Sequence, residues 1–333
     1  MNLRTRFTER FGVLHPVLNA PMALVAGGAL AAAVTRAGGL GLLGGGYAGT
    51  LGGEPSLAEE FTRAGDARIG VGFIGWALAQ APQRLDEALA RRPACVFLSF
   101  ADPSRFASRI HAAGVPLMCQ VQNMADLRAA VAAGAGAVVA QGTEAGGHGG
   151  RRATLPFVPE AADYLARHAP DTLLLAAGGI ADGRGLAAAL MLGADAVVVG
   201  TRFWAAHEAL TPEPAIVRAL QSDGDRTVRT RALDALRGVP WPPAYSFRVV
   251  RNRLTDEWVG REAEAKLAFG SLREQYQRAR LTGDLDVVPA VAGESIGLLH
   301  GRAPAAEIVA GMIDSACDLL TRPDPLDWRR HGP

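Results

Sequence analysis

Short runs of β-branched and aliphatic residues alternate along the chain with alanine-rich stretches of helical periodicity. The apolar runs lie at 17–20, 40–43, 69–73, 95–99, 116–120, 137–140, 172–176 and 196–199. Helical stretches separate them at 30–37, 56–64, 82–91, 104–113, 125–133, 157–168 and 185–192. A run that is apolar on both faces suits a strand buried on both sides, as in a parallel sheet. Glycines at the helix ends, as in Gly38-Gly39 and Gly44-Gly45-Gly46, suit a series of βα crossovers.

Eight such units in about 200 residues match the count and length of an α/β (β/α)8 TIM barrel. The rival, a doubly wound open sheet, requires a G-x-G-x-x-G turn after the first strand. The chain has Pro21-Met22-Ala23 there instead. After Ala209 the rhythm changes: aromatic and charged residues accumulate and Pro240, Pro242 and Pro243 interrupt the pattern. This predicts a barrel from residues 1–210 and 290–333 with an inserted, mostly helical cap over 211–289. The stretch 305–320 is amphipathic and would supply the barrel's last helix.

Composition narrows the chemistry. The chain has 34 basic and 33 acidic residues, which leaves no basic footprint for nucleic acid. Only one of the 34 is a lysine, Lys266, in a charged stretch that reads as a solvated helix face. No Gly-Lys pair exists for a P-loop, and Schiff-base chemistry has one poorly placed candidate. The three cysteines, Cys95, Cys119 and Cys317, have no metal or CxxC spacing, and the first two lie in apolar runs as buried thiols would. No metal site is expected. The N-terminus has no apolar signal core and no stretch suits a membrane span, so a cytoplasmic location is expected.

Three segments could carry chemistry. Gln141 to Gly150 follows the sixth run, has five glycines in ten residues and contains His148. Such a loop lets a flat ligand approach the backbone and offers a base or donor; the alternative is a surface loop with an incidental histidine. Gly178-Gly179 and Gly200-Thr201 each sit between a strand and a helix, where free N–H groups form an anion site. Ordinary turns are the alternative for each alone; on consecutive strands the pair points to a phosphate.

Ala20-Pro21-Met22, the Gln-Gly-x-Glu-Ala-Gly-Gly-His loop, the Ala-Gly-Gly-Ile turn and Gly-Thr-Arg-Phe, in this order and spacing, resemble the nitronate monooxygenase family. The resemblance covers roughly residues 14–210 and, more loosely, 290–320. The histidine loop is shared with FMN-dependent enoyl reductases and NADH:quinone reductases. The resemblance implies a bound FMN, with Ala20, Pro21 and Met22 along the ring and Gln120 on its pyrimidine side. It implies Gln141, Gly146 and Gly147 lining the flavin, and Gly178, Gly179, Gly200 and Thr201 on the phosphate. His148 would be catalytic, over the flavin's reactive face.

The activity implied is oxidation of a small nitronate or nitroalkane with O2 to a carbonyl compound and nitrite, with no nucleic-acid or membrane partner and a homodimer left open. A nicotinamide-dependent FMN reductase acting on a quinone or enoyl thioester is the alternative. A remodelled flavin-binding protein is another, because the chain departs from the family. No Asn stands in Gly70 to Trp76, and Gly293 is followed by Glu294 rather than Gln. Trp76 would either narrow the space above the flavin or pack in the core. Arg151 and Arg152 would attract an anion, stay solvated or pair with Glu144.

Overall fold

The structure, a computed structural model, describes residues 3–48 and 55–322. The end of the expected barrel segment, 323–333, and the Lys266 side chain lie outside the described residues.

All eight apolar runs are parallel strands of one sheet. They are β1 (Val17–Asn19), β2 (Leu42–Gly46), β3 (Gly70–Ile74), β4 (Val96–Ser99), β5 (Leu117–Val121), β6 (Ala137–Gln141), β8 (Leu173–Ala177) and β9 (Ala196–Val199). The short β7 (Gly147–Gly149) belongs elsewhere. The sheet order β1-β9-β8-β6-β5-β4-β3-β2 runs once around the barrel.

Strand alternation sorts the side chains into two layers. Leu18, Leu42, Phe97, Met118, Val139, Leu175 and Val198 fill the interior with Phe7 and Phe11 of the first helix, Arg6–Phe11, which seals the N-terminal end. Their neighbours Val17, Val71, Val96, Val138, Leu174 and Val197 pack outward against the surrounding helices. The final helix, Ala305–Thr321, inserts Ile308, Val309, Met312 and Ile313 into that outer layer and packs on Gly183–Met191, completing the ring.

Closure between β1 and β2 depends on a side chain. A single bridge, Leu18 to Leu40, joins the two strands. Beyond it the Asn19 amide substitutes for a strand, donating to the Leu42 carbonyl at 2.8 Å and accepting the Leu42 N–H at 2.9 Å. Asn19 is fully buried, so these bonds satisfy groups that have no water to turn to.

The segment between β9 and the last helix contains the helices Glu213–Leu220, Ala232–Arg237, Arg253–Trp258, Glu262–Leu267 and Phe269–Thr282. Within this mostly helical segment lie two strands that the sequence reading did not include, β10 (Thr227–Thr230) and β11 (Ser246–Val250). They pair antiparallel with each other, and β11 pairs with β7 of the histidine loop. The β-branched composition of Thr227-Val228-Arg229-Thr230 and of Phe247 to Val250 is the local reason.

Candidate active site

The loop after β6 is shaped by contacts from outside it. Gly146 lies so close to residues 292–293 that an added Cβ would come within 2.6 Å of the Ala292 backbone. Glu144 accepts the N–H of Thr154 at 2.9 Å and its hydroxyl at 2.8 Å, capping the helix Thr154–His168, which has no cap of its own. Arg152 therefore does not pair with Glu144: it meets Glu160 and lies over the Phe157 ring, 4.8 Å from its centroid, while Arg151 is exposed.

The three-stranded sheet then aims the histidine. Thr230, Phe247 and His148 occupy one row across β10, β11 and β7, so their side chains share a face. Arg229, Arg248 and Gly147 occupy the next row, on the other face. From there Arg229 and Arg248 both donate to the Thr143 carbonyl, at 2.9 and 3.0 Å, and Arg229 also reaches the Ala145 carbonyl at 2.9 Å. Glu294 pairs with Arg248 at 2.8 Å. Burial and the neighbouring Arg248 push the Arg229 guanidinium down to about 10. Two charged side chains thus hold a glycine-rich loop in one shape.

His148 is 7% exposed. Its ring is stacked on both sides: against Phe247, with centroids 4.4 Å apart and planes at 6°, and against Trp241, at 3.4 Å and 7°. Its Nε2 meets the Asp234 carboxylate at 2.8 Å, and Asp234 is buried too. Its Nδ1 has no hydrogen-bond partner among the described residues. Burial pushes the imidazole down to about 4, against the hydrogen bond and charge of Asp234, with Arg237 and Arg229 adding to the depression. At neutral pH the ring is therefore uncharged, and its open nitrogen can act as an acceptor.

Around this ring stand Tyr47, Trp76, Phe100, Trp241 and Tyr245. Trp241 donates to the Tyr47 hydroxyl at 3.2 Å and meets Phe100 edge-on at 4.9 Å. Trp76 packs edge-on against Tyr47 and Trp241, and its buried Nε1 has no hydrogen-bond partner among the described residues. Phe100 reaches the cluster from a left-handed backbone, φ +62°, directly after β4, a conformation that costs a non-glycine residue energy and is found where geometry matters more than comfort.

Of the residues expected in the site, Gln120, Gln141 and His148 form one network. Gln141 accepts from Gln120 at 3.2 Å and from Gln122 at 3.0 Å, and donates to the His148 carbonyl at 3.2 Å. Ala20, Pro21 and Met22 follow β1, with Ala20 N–H on the Val199 carbonyl at 2.8 Å, beside the β9 turn. Gly178 and Gly179, at φ +103° and +74°, end β8, and Gly200 and Thr201 end β9. An added Cβ on Gly200 would meet nothing nearer than the Ala20 Cβ at 3.8 Å, so this turn is bare toward the mouth. Thr201 accepts the Gly293 N–H at 2.9 Å, leaving its own hydrogen to donate.

Asp234, Gln122, Trp241, Phe247, Phe100 and Tyr47 were not anticipated from sequence. The strand-like runs at 227–230 and 246–250 were the available signal for the second sheet; nothing local marks Asp234. Cys95 and Cys119, with thiols pushed up to about 12 by burial, are inert.

Comparison with known proteins agrees with this architecture. The sequence profile of the nitronate monooxygenase family matches residues 63–314. A nitronate monooxygenase of Neurospora crassa is 33% identical, over 92% of this chain and 90% of that protein. A 5-hydroxy-7a-methyl-1-oxo-octahydro-1H-indene-4-carboxyl-CoA dehydrogenase of Mycobacterium tuberculosis is 34% identical, over 77% of this chain and 69% of that protein. Among solved structures, FabK from Thermotoga maritima superposes with a TM-score of 0.80 at 28% identity, covering 96% of this chain and 97% of that one. Nitroalkane oxidase from Streptomyces ansochromogenes gives 0.75 at 27% identity, covering 94% and 98%.

Proposed function

Since the chain belongs to the nitronate monooxygenase family and is an oxidoreductase, we propose that it binds FMN at the barrel mouth and converts small nitroalkanes or their nitronates with O2 to a carbonyl compound and nitrite. The observation that carries this reading is a buried, uncharged imidazole with one open nitrogen, set among aromatic rings at the end of a neutral amide network.

The donor set fits the cofactor. The amides of Gln120, Gln122 and Gln141 offer neutral donors and acceptors for the pyrimidine edge of a flavin. The bare turn at Gly200-Thr201 and the left-handed turn at Gly178-Gly179, which packs on Gly142 and Thr154, would hold its phosphate. Pro21 lies against Gly72, where a Cβ would come within 2.4 Å of its ring. A side chain in place of Gly72 would displace Pro21, so the missing Asn of Gly70 to Trp76 is consistent with a ring bed formed by Ala20 to Met22. The bound flavin would supply the electron chemistry with oxygen.

The protein's own part is binding, exclusion of water and movement of one proton. Tyr47, Trp76, Phe100, Trp241 and Tyr245 would surround the apolar part of a small substrate. His148 Nδ1 would take the α-proton of a neutral nitroalkane, leaving the electron pair on the substrate as its nitronate. The imidazolium so formed would be balanced by Asp234 on one side and the nitronate on the other. Trp241 and Phe247 cover both ring faces, so His148 would act through its edge rather than stack above the flavin.

The likeness to FabK and to a CoA-ester dehydrogenase supports a second reading, a flavin reductase or dehydrogenase of a thioester. The experiment is a visible spectrum of the purified protein followed by nitrite release from propionate 3-nitronate and from nitroethane in air. Flavin bands and nitrite are expected. Bleaching by NADH without oxygen, at a rate fit for turnover, would favour the second reading. A colourless protein that cannot take up FMN would end both.

A further inference from the structure

We infer that Asp234 is the positioning residue of His148: it holds the proton on Nε2 and so presents Nδ1 as the atom that accepts the substrate's proton. This rests on the reading of His148 as a base given above.

The geometry leaves the imidazole one arrangement. Its two faces are covered by Trp241 and Phe247, so the ring cannot tilt away from its plane. Within that plane Nε2 faces the Asp234 carboxylate at 2.8 Å, and both side chains are more than nine-tenths buried. A carboxylate accepts only, so the shared hydrogen sits on Nε2 and the lone pair on Nδ1. The charged groups facing the ring are Asp234 and Arg237, both of the helix Ala232–Arg237, and Arg229 of β10. Arg237 Nη1 stands 4.0 Å from the same carboxylate oxygen and balances its charge. The second carboxylate oxygen, Oδ2, is buried without a hydrogen-bond partner among the described residues, so the His148 bond is the carboxylate's one short contact there.

The consequence is a base assembled from two parts of the chain. Nε2 is fixed by the segment after β9, and the imidazole by the loop after β6. When Nδ1 takes a proton, the C–H bond breaks, an Nδ1–H bond forms, and the positive ring is met by a carboxylate already in contact. Without that carboxylate the buried ring would have to carry its charge unaided.

The test uses the full-length protein labelled with 15N-histidine, and two forms of one substrate. In the wild type, long-range 1H–15N spectra should show His148 as the Nε2–H tautomer at pH 7. In Asp234→Asn that tautomer population should fall. Turnover of neutral nitroethane should drop roughly 10²- to 10⁴-fold, while turnover of preformed ethyl nitronate should stay within about threefold, since that step needs no base. An Nδ1–H tautomer in the wild type overturns the inference, and so does an equal loss on both substrate forms. If Asp234→Asn does not fold, the wild-type tautomer decides alone. If the wild type turns over neither form, the nitroalkane reading fails, and the tautomer in the two proteins still decides the role of Asp234.

Discussion

The indole of Trp241 lies parallel to the imidazole of His148, 3.4 Å between centroids. The two residues come from different parts of the fold, and their contact adds to the burial that depresses the histidine. Burial is the largest cause of its depression to about 4, and Trp241 supplies one whole face of that burial. Trp241→Ala should let water reach the ring and move His148 up toward its ordinary 6.5, as read by NMR titration. An unchanged value would mean that Phe247 and the strands alone exclude water. The same change removes a core aromatic that is 9% exposed and should cost about 3 kcal/mol or more in denaturant unfolding.

Stability should depend on pH through the same group. The folded state resists protonating His148 until about pH 4, whereas the unfolded chain takes up that proton near 6.5. Between those values the unfolded state binds more protons, so stability rises with pH across the window and is flat in this respect above 7. The difference is on the order of 3 kcal/mol. Unfolding of wild type and His148→Gln at pH 4.5 and 7.5 checks this: the wild type should lose more on acidification, and equal losses would contradict it.

Gly200 offers a clean test of cofactor binding. Its φ of −96° suits any residue, and an added Cβ meets only Ala20 at 3.8 Å. Gly200→Val should therefore keep its melting temperature within a few degrees while losing most of its FMN, measured as the ratio of flavin to protein absorbance. A fully flavinylated variant would remove this turn from the phosphate site.

Asn19→Ala should weaken the seam between β1 and β2. It leaves the buried N–H and carbonyl of Leu42 without their partners, and each orphaned group costs about 1–3 kcal/mol. Denaturant unfolding should show a loss of about 2–6 kcal/mol, and hydrogen exchange at the Leu42 amide should quicken more than at Val71. Equal exchange at both sites would mean that other contacts close the barrel.

The barrel was legible because parallel strands are buried on both faces. Such burial demands continuous apolar runs, and all eight can be read directly from the residues at 17–20 through 196–199. The glycine turns after β6 and β8 were legible for a related reason: left-handed backbone and close approach, as at Gly178, Gly179 and Gly146, admit little else. His148 stood out because a polar, titratable ring in such a turn is chemically conspicuous.

Its surroundings did not stand out. Asp234 is one acid among 33, 86 positions away from the histidine it contacts. Trp241 reads as an aromatic in a proline-rich loop, and Asn19 as a polar residue at a strand end. The sequence by itself determined the repeat, the barrel and the positions where backbone must lie bare, because those follow from local burial and conformational limits. The tertiary structure alone decided which nitrogen of His148 is open, which rings cover it and which carboxylate holds it. Those follow from strand pairing between β7 and β11, a long-range register that no local pattern encodes.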